Sequence, residues 1–407
     1  MKAETKILHA HYPLEDPYGA LNMPVYHTVA YEFQTAAQME LAFTGKSPEH
    51  VYSRITNPTV QYFEQRVKAA SGAADAIAFN SGMAAIANVL IATARAGGNI
   101  VTSPHLFGNT FSLIAYTLKD FGVEPRFVDL TNIEETAGQI DENTCVVFLE
   151  VITNPQMEVV DLKALSQVCR EKGVPLVADT TVVPFTAFRA ADFGVDVEIV
   201  SSTKYISGGA TSLGGLVLDH DSFDWQRSPK LRAVVASPGA SAFSTKIRRE
   251  IHRNLGACMT PYAAQAQING LETLALRYER ATRTCRELAA RMRELPGVVS
   301  VNYPGFEGHP CHATSLSQFG EFPGAMFTFD LASREACFQL IDRLQLIRRA
   351  TNLFDNKTLA IHPASTIFGT FTEETRQQME VSQQTIRISV GLEDVTDLFD
   401  DFKQALA

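Results

Sequence analysis

The sequence predicts an α/β protein: a mostly parallel sheet covered on both faces by helices, followed by a smaller C-terminal α/β layer. Three observations predict it. From about residue 60, apolar runs alternate with helix-like runs. The apolar runs are continuous, as expected of strands buried on both faces. The chain has 407 residues, 45% of them hydrophobic, which is too much for one small core.

The elements follow in order. Residues 1 to about 50 look irregular. Pro and Gly punctuate YPLEDPYGALNMP, and TAAQMELAF forms one short helix. An arm without its own core usually lies on another surface, so a second subunit is expected to supply it. Helix TVQYFEQRVKAASG then precedes strand DAIAF. Helix SGMAAIANVLIATARAG opens at Ser and Gly and closes at Gly. Next come strand NIVTSP, helix NTFSLIAYTLKDFG, and strands EPRFVDL and TCVVFLE. Helix LKALSQVCREKG, strand PLVADT and strand VEIVSS follow, with LGGLVLD strand-like beyond them. One long helix is expected over PYAAQAQINGLETLALRYERATRTCRELAARMREL. Strands VVSVNYP, AMFTFDL and TIRISVG, with helices REACFQLIDRL and DVTDLFDDFKQAL, make the smaller layer. The expected boundaries are an arm at 1–55, a large domain at 56–250 and a C-terminal domain at 251–407.

Composition narrows the function. The net charge is -10, so no broad basic surface advertises nucleic acid or anionic lipid. Any anion must be held by a local site. The start, MKAETKILHAHYPLEDP, has no signal-peptide core, and no run of eighteen apolar residues suggests a membrane span. Six cysteines lie far apart with no C-x-x-C pair. They read as reduced thiols of a cytoplasmic protein.

Ligands of an open parallel sheet gather at the carboxyl ends of its strands. Four polar stretches fall there: NSGMAA at 80–85, EVITNP at 150–155, ADTT at 178–181 and SSTK at 201–204. Ser81, Gly82 and Met83 stand at a helix N-terminus, where backbone N–H groups and the helix dipole favour a phosphate. The plainer reading is an ordinary helix cap. Asp179 ends a strand, and a buried carboxylate there wants a positive partner such as a protonated ring nitrogen. Lys204 ends another strand. In a desolvated site its pKa falls and it becomes a nucleophilic amine, able to form a Schiff base with an aldehyde. The plainer reading is a lysine whose stem alone is buried. Ser201 and Thr203 alternate with Ser202, so both hydroxyls are expected on one face, toward the phosphate near Ser81. Together these groups list what pyridoxal 5′-phosphate requires.

At this point the chain resembles the Cys/Met-metabolism branch of fold-type I pyridoxal-phosphate enzymes. YSRITNPT, NSGMAA, ADTT, SSTKY, GLETLALRYER, IHPAS and TIRISVGLED occur in that family's order, over nearly the whole chain. The resemblance implies a seven-stranded, mostly parallel sheet and a role for each matching residue. Lys204 would hold the cofactor covalently and shuttle protons, and Asp179 would pair with the ring nitrogen. Gly82, Met83, Ser201 and Thr203 would bind the phosphate. Tyr52 and Arg54 would reach the phosphate of the neighbouring subunit, which implies a dimer, usually doubled to a tetramer. Asn154 would contact the cofactor or the substrate. Arg387 would clamp the substrate α-carboxylate, and Ser365 would line the same pocket. Phe107 replaces the family's usual tyrosine; its ring would still stack on the cofactor, without a hydroxyl. Gly209 replaces the family's usual histidine after the lysine.

Within the family, the resemblance points to an O-acetylhomoserine sulfhydrylase of methionine biosynthesis. KYISGGATSLGGLVLD, FDW at 223–225, and Lys357 where many lyases carry glutamate support it. The implied reaction is γ-replacement on O-acetyl-L-homoserine, or another acyl ester, by sulfide or a small thiol. A protein sulfur donor is compatible with this chemistry, but no residue argues for it. The alternatives are a methionine γ-lyase, a cystathionine lyase or a cystathionine γ-synthase of the same family, and a non-catalytic relative that only binds a partner. GHPCHATS, with His309, Cys311 and His312, reads as a loop rather than a metal site. His105 reads as a strand-end packing residue.

Overall fold

A computed structural model describes residues 1–10, 12 and 16–407. Pro13, Leu14 and Glu15 of the YPLEDP stretch lie outside the described residues. The large sheet has seven strands: β1 (Asp75–Phe79), β2 (Asn99–Thr102), β3 (Glu124–Phe127), β4 (Thr144–Glu150), β5 (Leu176–Asp179), β6 (Val197–Val200) and β7 (Gly215–Asp219). Their order is β1-β7-β6-β5-β4-β2-β3. β7 runs antiparallel to β1 and β6, and every other pair is parallel. All strands but β7 therefore end at one edge, and β7 begins there.

The continuous apolar runs have a simple cause. Ala76, Ala78, Val147, Leu149, Leu216 and Leu218 join the core on one face of the sheet. Ile77, Val146, Phe148, Val197, Ile199 and Val217 join a second core on the other. With both faces covered, both sides of a strand are mostly apolar.

Local chemistry sets the helix ends. Asn57 accepts from the N–H groups of Thr59 and Val60 and opens helix Pro58–Ser71, which stops at Gly72 with φ 76. Ser81 accepts from the Ala84 N–H and opens helix Gly82–Thr93. A second sheet follows: β8 (Ser300–Asn302), β9 (Met326–Asp330), β10 (Arg348–Arg349), β11 (Leu359–Ile361) and β12 (Thr385–Ser389), in the order β10-β11-β12-β9-β8. Only the β10–β11 pair is parallel. No helix among the described residues is long and apolar enough to cross a membrane.

Several expectations need correction. The single helix expected from Pro261 is two, Pro261–Glu272 and Leu274–Met292. Thr273, with φ -110 and ψ 9, breaks it, because the first half packs on helix Pro58–Ser71 and the second on the C-terminal sheet. Helix Gly108–Ser112 continues as a π-helical stretch, Leu113–Leu118. The arm contains a further helix, Ala3–His9, with Ile7 buried against its own chain. Strands β10 and β11 and helices Ile133–Gln139, His312–Phe319 and Glu373–Gln378 are too short to show a period in the sequence.

Candidate active site

Three parallel strands deliver the site. β4 ends at Glu150 and β5 at Asp179, and the two residues are direct neighbours in register. β6 ends at Val200, and the chain turns through Ser201 to Lys204. The alternation expected of Ser201, Ser202 and Thr203 does not apply, because the strand has already ended. Thr203 Oγ1 instead accepts from the Gly214 N–H at 2.9 Å and donates to the Gly214 carbonyl at 3.1 Å. This brace closes the loop between β6 and β7.

Asp179 and Glu150 form a carboxyl pair with no salt bridge among the described residues, the Lys204 charge acting on Asp179 from farther off. Burial pushes both carboxyl groups up, Asp179 further disfavours the Glu150 charge, and Glu198 disfavours that of Asp179. Asp179 Oδ1 accepts from the Thr181 N–H at 2.9 Å. Glu150 Oε1 accepts from the Phe107 N–H at 2.6 Å, which ties the Phe107 turn to the sheet edge. A protonated ring nitrogen would relieve this pair. Glu150 is a site residue that the strand pattern hid, although it ends the run TCVVFLE as Asp179 ends its own.

Lys204 Nζ donates to Asn352 Oδ1 at 2.8 Å. Burial lowers its pKa to about 8, and Arg387 adds to the effect while Asp179 opposes it. About a tenth of the amine is then neutral at pH 7, and the neutral form is the nucleophile. Arg387 lies on β12, almost fully buried, with no carboxylate partner among the described residues. Its Nη1 donates to Asn154 Oδ1 at 3.2 Å and its Nη2 to the Thr351 carbonyl at 3.2 Å, while Nε has no partner. Burial lowers its pKa to about 9. A buried cation held only by neutral oxygens is set up to receive an anion.

Ser81, Gly82 and Met83 begin a helix of twelve residues at the same sheet edge. A Cβ on Gly82 would lie 2.8 Å from Ser201 Cβ and 2.9 Å from Ser201 Oγ. One on Gly215 would lie 2.2 Å from the Ser81 carbonyl oxygen. Glycine at both positions lets the helix start pack directly on the Ser201 turn, forming a tight backbone cradle of the kind that suits phosphate.

The motif GLETLALRYER also has a physical role. A Cβ on Gly270 would meet the Ile206 carbonyl oxygen at 2.1 Å, so only glycine lets that helix touch the lysine loop. Arg277 donates to the Tyr205 and Gly270 carbonyls at 2.6 Å each. Gly209 has φ 113, and a Cβ there would lie 2.7 Å from Asn356 Nδ2, so a side chain at this position would strain the backbone and displace Asn356.

Other expected residues make contacts outside this set. Ser365 follows β11 in an exposed turn, its hydroxyl 2.9 Å from His362 Nδ1. Tyr52 and Arg54 are not with Lys204. Arg54 Nη1 donates to the Arg253 carbonyl at 2.6 Å, in a groove of about 670 Å³ lined also by Arg248, Arg249 and His252. Lys357 is exposed, its Nζ 3.5 Å from Asp355. His309 Nδ1 accepts from the Cys311 N–H at 3.0 Å, and His312 Nδ1 lies 3.3 Å from the Pro304 carbonyl. His105 contacts Glu158 at 2.6 Å and Glu380 at 3.6 Å.

A helix-start cradle, an acid pair without a salt bridge, a desolvated lysine and a buried arginine fit pyridoxal phosphate and an amino acid. They define the site of a pyridoxal-phosphate enzyme. The Cys/Met metabolism PLP-dependent enzyme family model matches residues 4–407, and the chain belongs to that family. O-acetyl-L-homoserine sulfhydrylase 1 of Thermus thermophilus is 38% identical over 100% of both chains. Sulfhydrylase FUB7 of Fusarium oxysporum f. sp. lycopersici is 35% identical over 99% of this chain and 96% of its own. A putative O-acetylhomoserine (thiol)-lyase of Campylobacter jejuni, solved with N'-pyridoxyl-lysine-5'-monophosphate, superposes with TM-score 0.93 at 32% identity over 100% of both chains. O-acetylhomoserine sulfhydrylase of Wolinella succinogenes superposes with TM-score 0.77 at 42% identity, over 87% of this chain and 99% of its own.

Proposed function

We propose that this protein catalyses γ-replacement on O-acetyl-L-homoserine with sulfide or a small thiol, giving homocysteine or methionine. The carrying observation is the uncompensated Arg387 guanidinium, joined to the Lys204 amine through Asn352. That pairing suits an α-amino acid, whose carboxylate and reacting carbon need a fixed spacing. Full-length likeness to sulfhydrylases supports the particular reaction.

Bound pyridoxal phosphate supplies an electron sink for negative charge at the substrate α-carbon. The protein does the rest. Lys204 would anchor the cofactor and would take and return protons at the substrate carbons. Asp179, with Glu150 beside it, would hold the ring nitrogen. Gly82, Met83, Ser201 and Thr203 would hold the phosphate, and Thr203 also braces the loop. Arg387 binds the α-carboxylate in a bidentate fork, and Asn154 orients that fork. In the net reaction the Cγ–O bond breaks, acetate leaves and a C–S bond forms. Phe107 has no hydroxyl, so proton transfer falls to Lys204 and water.

The same reading includes a partner copy of the chain. Tyr52 and Arg54 lie away from Lys204, which supports their service to a neighbour's phosphate within a dimer, doubled to a tetramer. The unpaired cysteines support a reducing compartment, the cytoplasm.

The test is an assay of purified protein with O-acetyl-L-homoserine plus sulfide, against methionine alone. Homocysteine from the first and nothing from the second is the expected result. Ammonia and a 2-oxo acid from methionine would assign a lyase instead.

A further inference from the structure

We propose that Asn352 is a positioning residue that holds the free ε-amine of Lys204 without fixing its proton, and that a strap over residues 352–356 sets its place. This rests on the reading above, in which Lys204 is the cofactor-bearing amine.

Three contacts sew the strap to the lysine loop. Lys204 Nζ meets Asn352 Oδ1 at 2.8 Å. The Tyr205 ring stacks on Phe354 at 4.2 Å and 9° between planes. Asn356 Nδ2 donates to the Gly208 carbonyl at 2.9 Å. Phe354 lies in the left-handed region with φ 55. An aromatic residue is unfavourable there, so its surroundings must hold it. The Tyr205 stack and the Ser389 hydroxyl, 2.6 Å from the Phe354 N–H, supply that hold.

The strap fixes more than the amine. The Asn352 carbonyl accepts from Arg387 Nη2 at 3.4 Å, and its Nδ2 lies 3.4 Å from Asp355 Oδ2. One residue therefore spaces the proton-moving amine from the carboxylate clamp. Its side-chain acceptor is an amide, which carries no charge. A carboxylate at that point would lock the ammonium form. An amide oxygen accepts from either form and favours the ammonium only modestly, so the proton stays available. The charged groups that act on Lys204 are Arg387, which disfavours its charge, and Asp179, which favours it.

The test uses the full chain stripped of cofactor and pyridoxal 5′-phosphate as the probe. The amine condenses with the aldehyde, losing water, and only the neutral amine attacks. The rate of adduct formation is followed by absorbance across pH, and borohydride trapping with peptide mapping assigns it to Lys204. In Asn352→Asp the midpoint moves up by about one pH unit, so the rate at pH 7, below both midpoints, falls about tenfold. In Asn352→Ala the midpoint moves down, because the ammonium loses its acceptor. A role confined to loop structure would not move the midpoint in opposite directions. Circular dichroism confirms folding; if Asn352→Asp does not fold, Asn352→Ala and Asn352→Ser carry the test with a downward midpoint expected of both. Midpoints at the wild-type value, or two shifts of one sign for Asp and Ala, overturn the proposal. A wild-type chain that forms no Lys204 adduct overturns the functional reading and this proposal together, which separates the two failures.

Discussion

At the level of single residues, Arg387 carries the largest unmet demand. A guanidinium this deeply buried normally sits against a carboxylate, and here only neutral oxygens face it. An incoming α-carboxylate would complete two parallel hydrogen bonds, which a lysine cannot reproduce. Arg387→Lys should lower kcat/KM for O-acetyl-L-homoserine by about 10²-fold, near 3 kcal/mol, the usual cost of breaking a buried charged pair. Steady-state kinetics check it, and the absorbance of bound cofactor should stay unchanged. Loss of that absorbance would mean the arginine holds the cofactor rather than the substrate.

At the level of elements, His105 joins three segments near the site. Its ring touches Glu158, beyond β4, and Glu380, beyond helix Glu373–Gln378, while its chain leads from β2 into Phe107. Burial works against its charge, but the Glu158 hydrogen bond and the nearby Glu380 and Asp129 charges raise its pKa overall. The folded pKa lies above the unfolded value of about 6.5. The stability it contributes is thus full below about pH 6.5 and is lost as pH rises through the folded pKa. His105→Gln should cost on the order of 1 kcal/mol at pH 5.5 and much less at pH 8.5. Thermal melts of both proteins across that range measure it; an equal difference at both ends would reject the ion-pair account.

At the level of the whole molecule, the arm is the part that makes least sense alone. Tyr18, Leu21 and Phe43 are exposed, and Arg54 lies in a groove that Lys204 does not line. In the proposed dimer, each site takes Arg54 from one chain and Lys204 from the other. Arg54→Ala and Lys204→Ala homo-oligomers should each be nearly inactive. Unfolded together and refolded as a mixture, they should recover about a quarter of wild-type activity, because a hybrid dimer holds one intact site. No recovery, with hybrids verified by mass, would place Arg54 in its own chain's site.

Much of this was legible without coordinates. Lys204 and Asp179 stand out because each follows an apolar run, and a charge there needs a reason. Ser81 and Gly82 stand out as a helix start. The doubly covered sheet is written in runs such as TCVVFLE, where burial on both faces removes alternation. Glu150 was less visible, because its meaning depends on which strand lies beside it. Asn352 was invisible, since it lies 148 residues from Lys204 in a loop without a period.

The sequence by itself thus determined most of the elements, the sheet class and the residue types that make a cofactor site, because helix caps, strand burial and turn glycines act over a few neighbours. Only the tertiary structure decided which of those residues meet. It set Glu150 beside Asp179, braced Thr203 on Gly214, left Arg387 without a carboxylate and brought Asn352 to the lysine. Strand order and strap packing are long-range facts, and side chains far apart in the chain acquire their chemistry only when burial forces them into one low-dielectric space.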